Sequence, residues 1–343
     1  MCCRANDEKH PKSPKPNKSH AMADHADNND DGDIFIYRGG RAPLHVTHAR
    51  IDISVDDIED DAFYGCKHLL TVETHDGIRK VKAFVFYRCR SLRRINLKSA
   101  VEINTWAFAT CVNLESVEFG DRLQIIRNRA FYGCSLTNLK LPSIITIGTC
   151  AFSNCSALIN VELSERLESI DLSAFYDCKR LERIAVPLKR DLFKFSDNIG
   201  KYNQFDKCEK LARVDLVGGI HETVASLQME SWRTEMVAEI NRINQVLPNT
   251  PGDDKTHAIR QWMEFVLDKM DHFRAQHCRY VKEGITLLEL ALWKAKLCEK
   301  EEYAAEMSSK RAKVDSESYR RDRRITCGAD IVINNVIPFL KLV

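Results

Sequence analysis

Residues 151–163 read AFSNCSALINVEL, and the spacing of their apolar positions decides the fold. Phe152 is followed three residues later by Cys155, then by Leu158, Val161 and Leu163 in an L-x-x-V-x-L pattern. The same pair recurs at Phe63/Cys66, Phe86/Cys89, Phe108/Cys111, Phe131/Cys134, Phe175/Cys178 and Phe205/Cys208. Successive phenylalanines lie 23, 22, 23, 21, 23 and 30 residues apart. An aliphatic residue stands five positions before each of the first six, as Ile58, Val81, Ile103, Ile126, Ile147 and Ile170. The residue just before Phe is small or β-branched: Ala62, Val85, Ala107, Ala130, Ala151 or Ala174.

A period in the low twenties marks a leucine-rich repeat, in which each unit is one turn of a solenoid. The apolar residues alternating at the end of each unit make a short strand with one buried face. They are Ile95/Leu97, Val117/Phe119, Val161/Leu163, Ile184/Val186 and Val214/Leu216, each group led by a leucine three residues earlier. No turn can bury its own face, so stability depends on stacking. Stacked strands predict a parallel sheet, about 30 Å wide for seven strands. In the fourth unit Leu136 arrives one residue early, and residues 189–204 insert a loop before Phe205. Seven of the thirteen cysteines occupy one repeat position, which predicts a ladder of buried free thiols. No C-x-x-C pair and no His/Cys cluster has zinc spacing, so no metal is expected.

The A-F-x-x-C-x-x-L-x-x-I-x-L unit resembles the BspA-type leucine-rich repeats of bacterial surface proteins and many protists. The lead-in residues Tyr37-Arg38-Gly39-Gly40 and Val46-Thr47-His48 resemble those of an expanded family of diatom proteins carrying this repeat. The likeness extends over residues 34–343, and what it implies is protein–protein interaction. Fold by itself does not fix function.

In each strand the residues between the buried ones point outward. One column reads Thr71, Arg94, Ser116, Asn138, Asn160, Arg183 and Arg213, and its neighbour Glu73, Asn96, Glu118, Lys140, Glu162, Ala185 and Asp215. Their charges cancel, and Lys140 stands between Glu118 and Glu162, which predicts a ladder of three charges. Without exposed aromatics or excess positive charge, this face suits a mixed-charge protein better than nucleic acid. Apart from Ala185, these column residues are the candidate partner-binding set. The rival reading is a solvated face whose charges only keep the turns in register.

Past Val217-Gly218-Gly219 the apolar period becomes helical. Val224, Leu227, Trp232, Met236, Ile240, Ile243 and Leu247 share one face of a helix over 221–247. Ile259, Trp262, Val266, Met270, Phe273 and His277 share one over 254–281. Thr286 and Glu289 have capping-box spacing, which predicts a third helix from Thr286 carrying Leu290, Trp293 and Leu297. One tryptophan per helix suggests core positions. The fold class expected is thus α+β repeat: a leucine-rich-repeat solenoid with a parallel sheet face over 34–217, followed by an α-helical bundle. The three-helix domain, 218–307, is placed to cap the solenoid, to offer a second binding surface or to form a homo-oligomer.

Residues 1–33 hold no Ile, Leu, Val, Phe, Trp or Tyr, which predicts a disordered tail. Cys2 and Cys3 beside basic residues raise the question of lipidation, but no hydrophobic helix flanks them. Asp27, Asn29, Asp31, Gly32, Asp33 and Ile34 follow the start of a calcium loop. Position 12 is Arg38 rather than Glu, so an acidic solvated run is the plainer reading. Lys310, Arg311, Lys313, Arg320, Arg321, Arg323 and Arg324 make residues 308–343 begin as a basic linker, and 331–343 are apolar. A nucleic-acid-associated or nuclear regulatory role through 310–324 is the alternative function.

Lysine and arginine number 51 against 49 acids, a net charge of +2, which argues against affinity built on phosphate neutralisation. No apolar run is long enough to span a membrane, and the N-terminal stretch lacks the apolar core of a secretory signal. A cytoplasmic protein, with the nucleus as alternative, is therefore expected. No G-x-S-x-G, P-loop or H-E-x-x-H motif occurs, so no enzyme activity, catalytic residue or cofactor is expected. The reading is a scaffold or adaptor for a protein partner.

Overall fold

The computed structural model describes residues 34–194 and 203–308. The expectations placed on the tail 1–33, the basic stretch 310–324 and the segment 331–343 lie outside these residues.

The chain winds as a right-through stack of turns in which every repeat residue has one job. The strands Ile34–Tyr37, His48–Ile51, Thr71–Glu73, Arg94–Leu97 and Ser116–Phe119 pair in parallel in that order. Asn138–Lys140, Asn160–Glu162, Arg183–Val186 and Arg213–Leu216 form a second parallel sheet. A third sheet, of six two-residue strands from Asp57–Ile58 to Ser169–Ile170, is built on the aliphatic residue five before each Phe.

Behind the sheets the phenylalanines stack face to face. Centroids are 5.2 Å apart for Phe63–Phe86, 4.9 Å for Phe86–Phe108, 5.0 Å for Phe108–Phe131 and 5.4 Å for Phe131–Phe152 and Phe152–Phe175. Phe175–Phe205 closes the column at 5.7 Å. All seven rings are fully buried. The cysteines have a specific task as well. Each thiol from Cys89 on donates to the carbonyl of the preceding turn's Phe: Cys89 to Phe63 at 3.1 Å, Cys111 to Phe86 at 3.0 Å, and so on to Cys208 and Phe175 at 3.0 Å. The carbonyl already accepts a backbone N–H within its own turn, as Phe63 O does from Cys66 at 3.1 Å, and the thiol adds a second donor from the next turn at little cost in volume.

One expectation changes. The seven strands do not make one continuous sheet: no pairing joins Ser116–Phe119 to Asn138–Lys140. The interruption falls on the unit in which Leu136 comes one residue early. Elsewhere the residue after the repeat leucine donates to the turn before, as Glu115 N–H does to Arg93 O at 3.0 Å and Ile159 N–H to Thr137 O at 2.8 Å. The short unit lacks a residue to span that approach. Val117 and Phe119 are consequently only half-buried, while their counterparts Ile95 and Leu97 are buried. The solenoid stays continuous through the third sheet, where Ile125–Ile126 pairs with Thr146–Ile147, and through the Phe column.

Helix α1 runs Gly219–Ala225, α2 Glu230–Val246 and α3 Lys255–Ser308. The expected third helix does not begin at Thr286: α3 continues through it for 54 residues in all. The Thr286 hydroxyl donates to Lys282 O, within the helix, instead of capping one. No proline interrupts α3, and one glycine, Gly284, costs only about 1 kcal/mol against alanine. Trp232 and Trp262 are buried, but Trp293 is 71% exposed, so the third tryptophan is not core among the described residues.

The chain divides into two compact units, one comprising the repeats to Ser226 together with Thr234–Leu267, the other Leu227–Arg233 with Asp268 onward. In the first, Thr256 accepts the Phe205 N–H at 2.9 Å, and the fully buried Lys255 ammonium donates to the carbonyls of Leu211 and Leu247. In the second, Trp232 stacks on Phe273 at 5.1 Å with Tyr280 beside it.

Candidate partner-binding face of the sheet

Within each of the two sheets the register lines up the columns, which the break between Ser116 and Asn138 divides. Thr71, Arg94 and Ser116 stand opposite one another, as do Asn138, Asn160, Arg183 and Arg213. Asn96 faces Glu118, and Lys140, Glu162, Ala185 and Asp215 follow in line. Thr71, Glu73, Arg94, Asn96, Ser116, Glu118, Asn138, Lys140, Glu162 and Arg213 are exposed, while Asn160, Arg183 and Asp215 are half-buried. Ala185 is buried.

The expected ladder through Glu118, Lys140 and Glu162 does not form. Lys140 pairs with Glu162 at 3.1 Å, but Glu118 pairs with Lys98 at 2.9 Å. The break in the sheet separates Glu118 from Lys140, so each finds a partner on its own side. A different cluster forms further along, where Asp215 accepts from both Arg183 and Arg213, the latter at 2.9 Å. Asn160 donates to Asn138 at 2.9 Å in the adjoining column.

Two face residues escaped the sequence reading. His48 and Arg50 extend the columns by one strand: His48 bonds the Thr71 hydroxyl at 2.7 Å and Arg50 pairs with Glu73. Val46-Thr47-His48-Ala49-Arg50-Ile51 is itself a V-x-x-A-x-I unit, and only the missing Phe/Cys pair concealed it. The second omission is the wall. A cavity of about 540 Å³ opens over Glu162, Arg183, Arg213 and Asp215, and is closed on one side by His221 of α1 and by Asn241 and Asn244 of α2. Residues from separate elements meet there, which no repeat pattern contains. The face therefore carries a flat mixed-charge stretch and, at its last strands, a concave arginine–aspartate site. Two guanidiniums face two carboxylates there, Asp215 and Glu162, a charge-balanced site whose planar guanidiniums can fork an incoming carboxylate.

A stacked-turn architecture with an open polar sheet face and a Phe/Cys spine defines a leucine-rich-repeat solenoid. Six copies of the BspA type Leucine rich repeat region match residues 43–146 and 124–232, and the chain belongs to that family. Membership implies a protein-interaction or surface-binding role, on a fold that is typically a non-enzymatic scaffold. Among solved structures, the chain is similar to the leucine-rich-repeat protein TpLRR of T. pallidum, with 31% identity over 40% of this chain and 62% of that one, and a TM-score of 0.35. A leucine-rich repeat protein from Eubacterium ventriosum matches at 23% identity over 48% and 49% of the two chains, TM-score 0.39. A leucine rich cell surface protein from Faecalibacterium prausnitzii matches at 18% over 51% and 80%, TM-score 0.28. The chain thus spans about half to three-fifths of the first two. No curated protein matches the chain. Among the described residues, no helix is long and apolar enough to cross a membrane.

Proposed function

We propose that this chain is a scaffold or adaptor that holds a protein partner on the open face of its sheet, with the arginine–aspartate cavity as the anchoring end. The observation that carries this reading is the cavity: the last strands supply Arg183, Arg213 and Asp215 as a floor, and α1 and α2 wall it. Partners are most strongly held where polar groups are enclosed rather than spread on an open surface. The partner chemistry that fits is a mixed-charge surface presenting a carboxylate to the two arginines.

The proposal includes a reducing compartment, the cytoplasm or nucleus, because the repeat cysteines are free thiols and buried. It retains the kinship with diatom proteins suggested by the lead-in residues, and a homo-oligomer through the helical part. Affinity capture with the intact chain and with Arg94, Glu118, Arg183 and Arg213 changed to alanine tests it. A partner lost only by the variant, at unchanged circular dichroism, supports the sheet face. Capture of the same proteins by both forms transfers the role to the helical part or to the basic stretch 310–324. In the latter case binding falls steeply with salt.

A further inference from the structure

The side of the solenoid formed by the A-F-x-x-C segments carries a surface that the sheet face does not explain. Two residues before each Phe stand Asp61, Phe84, Trp106, Arg129, Cys150 and Ser173, and every one of them is left-handed, with φ between 55° and 61°. One residue after the Phe stand Tyr64, Tyr87, Ala109, Tyr132, Ser153 and Tyr176. In the first four turns these two columns put five aromatic rings side by side. Tyr64 stacks on Tyr87 at 5.1 Å, Phe84 on Trp106 at 6.3 Å, and Tyr87 stands edge-on to both Phe84 and Trp106. Tyr132 leans on Trp106 at 5.9 Å. Three guanidiniums lie over these rings: Arg41 over Tyr64 at 5.2 Å, Arg88 over Tyr87 at 5.2 Å and Arg129 over Trp106 at 4.9 Å.

Holding the turns together does not require this arrangement. The fifth and sixth turns use Cys150 and Ser173 at the first column, and the first uses Asp61. Aspartate tolerates the left-handed region, whereas a bulky side chain there costs roughly 1–2 kcal/mol. Phe84 and Trp106 accept that cost in consecutive turns and yet remain partly exposed. Backbone strain that burial does not offset points toward a use for the exposed group.

The composition, Trp, Tyr and Arg together, is that of the residues that dominate binding energy at protein interfaces. Arg41, Arg88 and Arg129 stand against two acids, Asp61 and its neighbour Asp60, so the surface is complementary to carboxylates. Four turns at about 4.8 Å span roughly 15–20 Å, the length of five or six residues of extended chain. Base stacking is disfavoured because the ring faces are occupied by neighbouring rings and guanidiniums.

We propose that this aromatic–arginine surface is a second binding site, taking an extended acidic protein segment whose apolar side chains lodge between the aromatic edges of Tyr64, Phe84, Trp106 and Tyr132, over the buried Tyr87. The full chain is titrated with a labelled ten-residue peptide alternating glutamate with proline and leucine, with its lysine counterpart, and with a labelled oligothymidylate. The critical variant is Phe84→Ser/Trp106→Ser, since the fold already accommodates serine there at Ser173. The glutamate peptide is expected to bind the intact chain, to lose about tenfold or more in affinity to the double variant, and to lose affinity to Arg88→Gln/Arg129→Gln. Arg274→Gln, on α3, leaves it unchanged, and the circular dichroism of the serine variant matches that of the intact chain. The idea is overturned if the glutamate peptide fails to bind, binds the serine variant equally, or binds no better than the lysine peptide. Preferential binding of the oligothymidylate overturns it in favour of nucleic acid.

Discussion

The side-chain amide of Asn244 pairs with both backbone groups of Val214: Val214 N–H donates to Oδ1 at 2.7 Å, and Nδ2 donates to Val214 O at 3.0 Å. Val214 lies in the last repeat strand, whose outer edge meets no further strand among the described residues. An amide side chain reproduces the donor and acceptor of a neighbouring peptide unit, so one residue of α2 closes the sheet edge. Unpaired edges invite pairing with other chains, and repeat arrays need their ends covered.

Replacing Asn244 with alanine leaves that N–H and C=O without these partners. The expected loss is about 1–3 kcal/mol in urea unfolding, with faster amide exchange at Val214. Exchange unchanged at that strand would show the amide pairing to be dispensable.

Phe131 sits at the centre of the ring column, between Phe108 at 5.0 Å and Phe152 at 5.4 Å, with Phe119 edge-on at 5.8 Å. Phe131→Ala is expected to cost about 3–5 kcal/mol, because stacked neighbours on both sides cannot collapse into the void. A denaturation midpoint within error of the parent would contradict that.

Burial pushes the Cys66 thiol up to about 11 and the Cys155 thiol up to about 12, and holds Cys89, Cys134 and Cys178 well above the usual thiol range. A raised folded pKa gives stability that is present below the unfolded value, near 9, and is lost as pH rises toward the folded value. Each of these five thiols should cost roughly 1 kcal/mol of stability by pH 10. Lys255, lowered by burial, works in the opposite direction, but it is a single group. Urea midpoints at pH 8, 9 and 10 should fall progressively. At pH 8 alkylation followed by peptide mapping should modify Cys278, which is exposed, and spare the seven repeat cysteines.

The short fourth unit offers a gain rather than a loss. Inserting one alanine after Ser135 restores the C-x-x-L spacing and is expected to join the two sheets. Amide protection over residues 115–119 and 137–140 should rise, together with the melting temperature. No change in protection would locate the cause of the break outside the missing residue.

Lys255→Met removes a buried ammonium and leaves the carbonyls of Leu211 and Leu247 without it as a donor. The expected cost is about 1–3 kcal/mol, read from the urea midpoint.

The repeat spacing determined most of this protein by itself. Phe63 to Phe205, the cysteines three residues after them and the alternating strands each repeat one local pattern, and stacking like on like leaves those residues a single register. The one-residue deletion before Leu136 was equally legible, though its consequence, a broken sheet and a divided Glu118 and Lys140, depends on hydrogen bonds between turns. The helical part was read less well. Periodicity in 254–281 and from 286 shows two amphipathic stretches, but whether they are one helix turns on the absence of a strong breaker, and α3 runs through. The cavity at Arg183, Arg213 and Asp215, the Asn244 clasp and the aromatic surface of Phe84 and Trp106 were decided by tertiary structure alone. Each joins residues from different turns or elements, and such meetings are set by packing, which no local period in the chain encodes.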